Sequence, residues 1–465
     1  MKSKRKLLIL LNLIFSIAII FSVFSIKITI FHASENLGGI TPIGIIGDAD
    51  SDGKITVKDA TKIQKHVAKI ITLEEKQKKL ADFLSKPGIN VKCATYIQKY
   101  VAKFNLAGTE GEKIGRSYYE IPITSKNFPD ENFRKYVAGN LSHASRDFFT
   151  KAEAEAVNKI DLSNIKNIST LQGIEYFTSL ITLWCNSNEL TNLDLSSNTK
   201  LVSLYCTNNK LTGLDLSRNT QLVNLLCGNN QLKSLNISKN TKLTELVCST
   251  NQLSSLDVSK NTALTSLACT GNNLMELNVS KNSNLLSLSC AANKLSNLHV
   301  NQNVKLTSLL CGDNLLTNFD ISQNTALSTL SCNNNNLINL DLSQNKNLTE
   351  LSCNGNSMMS LDISKNTKLK KLFCSQNRLT KLDINNNTAL IEIACSDNKI
   401  SALDISPLTS LTSEQNVRFY NNGMTMLIKN SRNQGQMTFQ DSSYHKAGNG
   451  NPPGSWGTEN VYSAP

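Results

Sequence analysis

Apolar and polar positions recur with one fixed period between residues 179 and 404. Eleven units of 21 residues follow the pattern L-x-x-L-x-C-x-x-N-x-L-x-x-L-D-(L/V/I)-S-x-N-T-x, without insertion or deletion. In a strand such as Leu183-Trp184-Cys185, residues two positions apart face the same side, so Leu183 and Cys185 point inward. One unit cannot enclose a core by itself, whereas stacked units bury a continuous one. The pattern therefore predicts a solenoid of parallel strands.

The skeleton of each unit is that of a leucine-rich repeat, with a cysteine at one leucine position. Parallel strands lie about 4.8 Å apart, too far for the roughly 3.8 Å between bridged Cβ atoms. A straight column also does not present thiolates tetrahedrally to a metal ion. We therefore expect free, buried thiols at positions 185, 206, 227, 248, 269, 290, 311, 332, 353, 374 and 395. The asparagine three residues after each cysteine is expected to bond the backbone of the turn.

The predicted fold is thus a leucine-rich repeat solenoid. Its parallel β-strands form the concave face, short turns or 3-10 segments form the other side, and small α-helical modules precede it. The central column of the concave face begins Trp184, Tyr205, Leu226 and Val247, and Phe373 follows near its end. An apolar stripe with a polar rim often marks an interaction site. These five residues are candidates for binding a protein or glycan, unless cap segments cover them.

A second kind of motif lies near the start, in GDADSDGKITVKDATKIQKHVAKI, residues 47–70. Carboxylates at loop positions 1, 3 and 5, a glycine at 6 and oxygen donors at 7, 9 and 12 are typical of an EF-hand-type calcium loop. An acidic turn before a helix is the alternative. The candidate ligands of one Ca²⁺ are Asp48, Asp50, Asp52, the Lys54 carbonyl, Thr56 and Asp59.

Residues 81–104 repeat this segment 34 positions later, but Leu84, Lys86 and Cys93 replace three of its aspartates. Two loop–helix copies within residues 36–106 resemble a dockerin module of type I. The resemblance implies docking onto a cohesin-type module in either of two orientations. The residues that it assigns to cohesin binding are Val57, Lys58, Val91 and Lys92.

The repeat unit, as in residues 253–272, resembles the cysteine-ladder repeats of internalin J-like proteins. IPITSKNFPDENFRKYVAGNL and TLQGIEYFTSL, within 116–178, resemble the helical N-terminal cap of internalins. The resemblance implies that this segment closes one end of the solenoid core. Residues 107–115 are then a linker, 405–440 a C-terminal cap and 441–465 a flexible tail.

The chain begins with Lys2, Lys4, Arg5 and Lys6, followed by an apolar run from Leu7 to Phe24. This arrangement is typical of a signal peptide, here residues 1–34, or of an uncleaved membrane anchor. We therefore expect a secreted protein, and association with the membrane only if the segment stays uncleaved.

The formal net charge of +12 does not indicate a nucleic-acid partner, because the basic residues are not gathered on one face. The five histidines stand in no catalytic motif, and no carboxylate pair flanks a predicted cleft. We predict a secreted, non-catalytic binding protein whose dockerin-like module docks onto a cohesin-bearing scaffold or cell surface in a calcium-dependent way. The alternatives are an internalin-like host-cell adhesin or virulence factor, and a non-catalytic component of a polysaccharide-degrading assembly.

Overall fold

The fold is taken from a computed structural model. It describes residues 44–45, 48–49, 51, 53, 55–67, 97, 117–118, 120–141, 147–408, 417–422 and 426–428. The predicted signal peptide, linker and tail lie outside the described residues, as does most of the second calcium-loop copy.

The N-terminal segment contains strand β1, Gly44–Ile45, and helix α1, Val57–Val67. Thr56 precedes the helix and caps it: its hydroxyl accepts the Lys58 N–H at 3.1 Å, while Asp59 Oδ2 accepts the Thr56 N–H at 2.7 Å. This reciprocal bonding satisfies donors that a helix start leaves open. Strand β1 pairs antiparallel with β2, Ser117–Tyr118, which leads into the next segment.

The cap before the repeats combines short strands and helices. In chain order it contains β3 (Glu120–Pro122), α2 (Glu131–Tyr136), a π-helical turn (Val137–Leu141), β4 (Phe148–Thr150) and α3 (Lys151–Ala156). Its core is an aromatic cluster of Phe128, Phe133, Phe149, Tyr176 and Phe177. The turn at Gly173 has φ +105°, and a Cβ there would meet the Phe128 ring, so this position requires glycine.

Asp130 ties this cap to the first turn of the solenoid. Its side chain accepts the Phe133 N–H at 2.9 Å, which caps α2, and the Ser169 N–H at 2.8 Å. These bonds place the segment directly before the first repeat, at the end of the core where terminal units of solenoids exclude solvent. Its role as an N-terminal cap stays a prediction.

The repeats form one parallel sheet of thirteen strands, with β5 at one end and β18 at the other. From β6 to β16 every pair of neighbouring strands is in register with a shift of one 21-residue repeat, as in Leu183 beside Leu204. Behind the sheet the chain returns through turns, and one 3-10 helix covers Ile174–Tyr176. The thirteen strands of this sheet are β5 Lys159–Asp161, β6 Thr182–Trp184, β7 Ser203–Tyr205, β8 Asn224–Leu226, β9 Glu245–Val247, β10 Ser266–Ala268, β11 Ser287–Ser289, β12 Ser308–Leu310, β13 Thr329–Ser331, β14 Glu350–Ser352, β15 Lys371–Phe373, β16 Glu392–Ala394 and β18 Val417–Arg418. A separate parallel pair consists of β17 Ala402–Asp404 and β19 Met426–Ile428.

Each repeat turns sharply after its cysteine. The second residue after the cysteine has a positive φ in every repeat, between 49° and 67°, although only Gly271 and Gly355 are glycines. The next residue is the asparagine that follows each cysteine by three positions, and its side chain stabilises this turn. In one repeat, Asn209 Nδ2 donates to the carbonyls of Cys185 and Cys206 at 3.0 and 3.1 Å, and its Oδ1 accepts the Leu190 N–H at 3.1 Å. These bonds offset the cost of the left-handed backbone.

A further turn continues the ladder inside the predicted C-terminal cap. Strand β18 pairs with β16, and β19 pairs with β17. Asn422 takes the place of the repeat asparagine, since its Oδ1 accepts the Ile400 N–H at 3.0 Å. Phe419 occupies the cysteine position but lies 24 residues after Cys395 instead of 21. Three additional residues therefore interrupt the period, which is why the sequence pattern ended at 404.

Candidate ligand-binding face

The outward side of the thirteen-stranded sheet carries the candidate ligand residues. We call it the strand face; it consists of the side chains that β5–β16 and β18 direct away from the core. The first residue of each three-residue strand forms one column and the third residue forms the central column, because residues i and i+2 share a face. The middle residue points inward, as with Leu183 and Leu204, both 0% exposed.

Trp184 and Tyr205 stand side by side at the N-terminal end of the central column. Their ring centroids are 5.3 Å apart and the ring planes differ by 3°, so the rings are stacked. The ammonium group of Lys159, on the strand before Trp184, lies 4.3 Å from the centroid of the indole. Stacking and the cation–π contact hold both rings in fixed positions.

The stripe continues through Leu226 and Val247, which are partly exposed. The next two residues of the column, Ala268 and Ser289, are small. Phe373 is different: it is 7% exposed and offers little surface to a ligand. Its register neighbours are Ser352 and Ala394, which leave room for the ring to lie against the sheet.

Polar side chains on and beside the strand face bond one another at both ends. Near the N-terminal end Asn224 Nδ2 donates to Ser203 Oγ at 3.1 Å, and further bonds of this kind lie toward the C-terminal end. Asn333 Oδ1 accepts from the Ser352 hydroxyl at 2.7 Å and from the Asn354 N–H at 2.9 Å. Asn354 Oδ1 in turn accepts the Ser375 N–H at 2.8 Å. These groups already have partners, so a ligand would have to exchange bonds instead of adding them.

Charged side chains of the strand face form ion pairs at both ends of the ladder. At the C-terminal end Lys371 lies 3.4 Å from Glu350, and Arg418 lies 3.5 Å from Glu392. At the other end Lys159 lies 3.9 Å from Asp161. Glu245 on β9 has no salt-bridge partner among the residues that the structure describes. Sequence reasoning missed both the pairs and this exception, although the 21-residue offset between Glu350 and Lys371 was a readable signal.

The eleven repeat cysteines are free and buried, as predicted. Burial raises the pKa of their thiols, in the case of Cys185, Cys227 and Cys269 to about 12, because a thiolate is poorly solvated in an apolar core. A thiol that stays protonated at neutral pH is a weak nucleophile and a weak metal ligand. No cluster of three or more potential metal ligands occurs within the described residues. The column is therefore a structural element.

The calcium-loop candidates are described in part. Asp48 and Asp59 are 2% and 0% exposed, and Asp48 Oδ2 accepts the Gly53 N–H at 2.9 Å. Gly53 has φ +82°, the conformation that a sharp turn at loop position 6 needs. Val57 is the first residue of α1 and Lys58 is exposed. Asp50, Asp52, Lys54, Val91 and Lys92 lie outside the described residues.

Comparisons with known proteins place this geometry in a family. The structure is similar to the functional domain of InlJ from Listeria monocytogenes, described as including a cysteine ladder, with a TM-score of 0.60 and 34% identity. The similarity covers 66% of this chain and 72% of that domain. The chain belongs to the internalin-type leucine-rich repeat proteins.

Two further comparisons define how far this internalin-type relationship reaches. Internalin J of Listeria monocytogenes serotype 4b (strain F2365) is 38% identical over 72 residues, which are 16% of this chain and 8% of that protein. The match therefore spans less than a tenth of the curated relative. The internalin InlF of the same species shares the fold, with a TM-score of 0.60, 24% identity and coverage of 70% and 98% of the two chains. No family model matches the chain.

Among the described residues, the internalin-type chain has no helix with the length and apolar character to cross a membrane.

Proposed function

We propose that this protein is exported and non-catalytic, and that it binds a protein or glycan ligand through the N-terminal end of its strand face. The observation that carries the proposal is the apolar stripe of Trp184, Tyr205, Leu226 and Val247, which stands on a rigid ladder and is partly exposed. Aromatic groups that are already fixed lose little conformational entropy when a ligand binds. Membership of the internalin type supports a binding role, since this architecture presents an extended surface.

A binding array with matched variants tests the proposal. The full chain is applied to immobilised glycans and to host and bacterial surface proteins, next to Trp184→Ser and Tyr205→Ser. The control is Leu310→Ser, which removes an apolar residue of the same column farther along the ladder. We expect the two aromatic substitutions to abolish a signal that the control keeps. Equal signals from all four proteins would show that the stripe is not the binding site.

We also propose one Ca²⁺ site in the N-terminal loop, with ligands Asp48, Asp50, Asp52, the Lys54 carbonyl, Thr56 and Asp59. Two carboxylates of one short loop, Asp48 and Asp59, are buried, which suits a hard cation that would offset their charge. Ile63 of α1 and Ile97, its counterpart in the second copy, are both 0% exposed. Their burial supports two apolar loop–helix copies in one module, which would dock onto a cohesin-type partner through Val57, Lys58, Val91 and Lys92.

Calorimetric titration of the full chain with Ca²⁺ tests this site. We expect one site in the wild type, none in Asp48→Asn, and one in Asp82→Asn, which changes the second copy. Retained binding in Asp48→Asn would remove the site. A pull-down with purified cohesin modules, with and without chelator, then tests the docking.

An internalin-like adhesin is the second candidate, and the family relationship favours it. In that case the chain binds host cells whether or not Ca²⁺ is present, and the N-terminal module acts as a spacer. Cell-binding assays with and without chelator distinguish the two functions. A role in a polysaccharide-degrading assembly requires the cohesin interaction and is excluded if the pull-down fails.

A further inference from the structure

The stacked rings leave few ring faces open to a ligand. Trp184 has Tyr205 on one side, at 5.3 Å between centroids, and the Lys159 ammonium over the ring at 4.3 Å. Tyr205 has Leu226 in the next register position. A sugar ring that stacks on an aromatic side chain needs an exposed face, and here it would have to displace a neighbour. The stripe therefore offers ring edges and aliphatic groups, which pack well against apolar side chains.

The surface next to the stripe forms a shallow depression, and part of the depression is lined by backbone atoms. Gly228, two residues after Leu226, lacks a side chain, and a Cβ there would lie 3.1 Å from the Ser249 carbonyl oxygen. Farther along, Ala268 is 4% exposed, so the central column drops after Val247. An extended polypeptide segment can lie along this step with one apolar side chain against Leu226 and Val247.

The charge at this end is unbalanced. Within β5–β10 the charged residues of the strand face are Lys159, Asp161 and Glu245. Lys159 already contacts both Asp161, at 3.9 Å, and the indole of Trp184. Glu245 precedes Val247 by two residues on the same face and has no ionic partner in the described part of the chain. Its counterparts Glu350 and Glu392, in the same column, are paired at 3.4 and 3.5 Å.

From this geometry we infer that the ligand is a polypeptide segment with a basic side chain next to an apolar one. The apolar side chain packs on Leu226 and Val247, and the basic group pairs with Glu245. The inference rests on the proposed function, because it concerns the ligand chemistry of the same site. A partner with a cation complements the unpaired carboxylate, and this pairing selects among ligands more than it adds affinity.

A peptide selection tests the inference. A phage-displayed library of random dodecapeptides is selected on the immobilised full chain, and the most enriched peptide is synthesised with a fluorescent label. Its affinity is measured by anisotropy for the wild type, Glu245→Gln, Leu226→Ser and Glu350→Gln. Glu350→Gln is the matched control, since it removes a carboxylate from the same column outside the proposed site. Circular dichroism and thiol protection verify that each variant is folded.

We expect enriched peptides to carry Lys or Arg within a few positions of an apolar residue. Loss of one partly exposed charge pair should weaken binding about five-fold in Glu245→Gln, and added salt should weaken the wild type more than this variant. The control should bind as the wild type does. Enrichment of no peptide, or of peptides without basic residues, overturns the inference.

The variants distinguish a wrong ligand chemistry from a wrong binding site. If Leu226→Ser loses binding and Glu245→Gln does not, the ligand chemistry is wrong and the proposed site stands. If neither substitution affects a bound peptide, the site itself is wrong. A glycan that binds through Trp184 with no effect of Glu245→Gln also overturns the inference.

Discussion

The two ends of the strand face differ although the core beneath them is the same. Both ends have an inward leucine, an inward cysteine and a turn asparagine in each repeat, and these residues are buried throughout. Outward, both ends have ion pairs and hydrogen bonds of Asn and Ser side chains, but the N-terminal end also has stacked aromatic rings and Glu245, which has no ionic partner within the described residues. Groups bonded within the protein stabilise the ladder, and groups without partners are available to a ligand.

The largest predicted effect is the loss of folding stability at alkaline pH that the buried thiols cause. It should be equal at the two ends of the strand face. The raised pKa values mean that the folded protein keeps protons which the unfolded chain releases above about pH 9. Stability is therefore fully present below that pH and falls as pH rises toward about 12, the folded value for Cys185 and Cys332. Each such thiol contributes up to about 1.4 kcal/mol per pH unit.

Urea unfolding between pH 7 and pH 11 measures this slope. The control replaces five N-terminal cysteines with alanine in one variant (185, 206, 227, 248 and 269) and five C-terminal ones in another (311, 332, 353, 374 and 395). Each set should reduce the slope by a similar amount. A slope that depends on one set only would contradict the equivalence of the two ends.

Truncation of inward leucines should also have equal effects. Leu225 and Leu372 are both 0% exposed, one below each end of the strand face. Leu225→Ala and Leu372→Ala should each lower the free energy of unfolding by about 2–5 kcal/mol, since each removes buried methyl groups and leaves a cavity. Chemical denaturation measures both values. A much smaller loss at one position would show that the core is not uniform.

The two asparagine positions of the repeat should differ from each other. Asn272 donates to the carbonyls of Cys248 and Cys269, and its Oδ1 accepts the Leu253 N–H. Asn282 donates to two carbonyls, and its Oδ1 accepts no hydrogen bond within the described residues. Both substitutions remove the donors of the amide, but Asn272→Ala also leaves the buried Leu253 N–H without its acceptor. Asn272→Ala should therefore lower the free energy of unfolding by about 1–3 kcal/mol more than Asn282→Ala does. Denaturation should therefore rank Asn272→Ala as more destabilising than Asn282→Ala, and the reverse order would contradict this account.

The sequence predicted the inward side of the molecule well, because a fixed period of 21 residues determines which residues meet. It predicted the free thiols and the role of the asparagines. It did not predict the further turn through Phe419, since three additional residues break the period there. The position of Phe373 in the central column predicted an exposed ring, but its small neighbours Ser352 and Ala394 allow the ring to lie buried. The stacking of Trp184 on Tyr205 depends on side-chain rotamers that no spacing specifies.

The smallest predicted effect is that of an ion pair at the C-terminal end. The side chains of Lys371 and Glu350 are 37% and 27% exposed, so solvent screens the attraction between their charges. Lys371→Gln should change the free energy of unfolding by less than about 1 kcal/mol, and it should leave ligand binding unaltered. A marked loss of binding in this variant would place ligand contacts at the wrong end of the face.

The fluorescence of Trp184 tests the central claim most directly. The chain has two tryptophans, so Trp456→Phe makes Trp184 the single indole emitter. If ligands bind at the N-terminal end of the strand face, the selected peptide should shift and saturably change the Trp184 emission, with the same midpoint as its anisotropy titration. Binding by anisotropy with unchanged Trp184 emission would contradict the account.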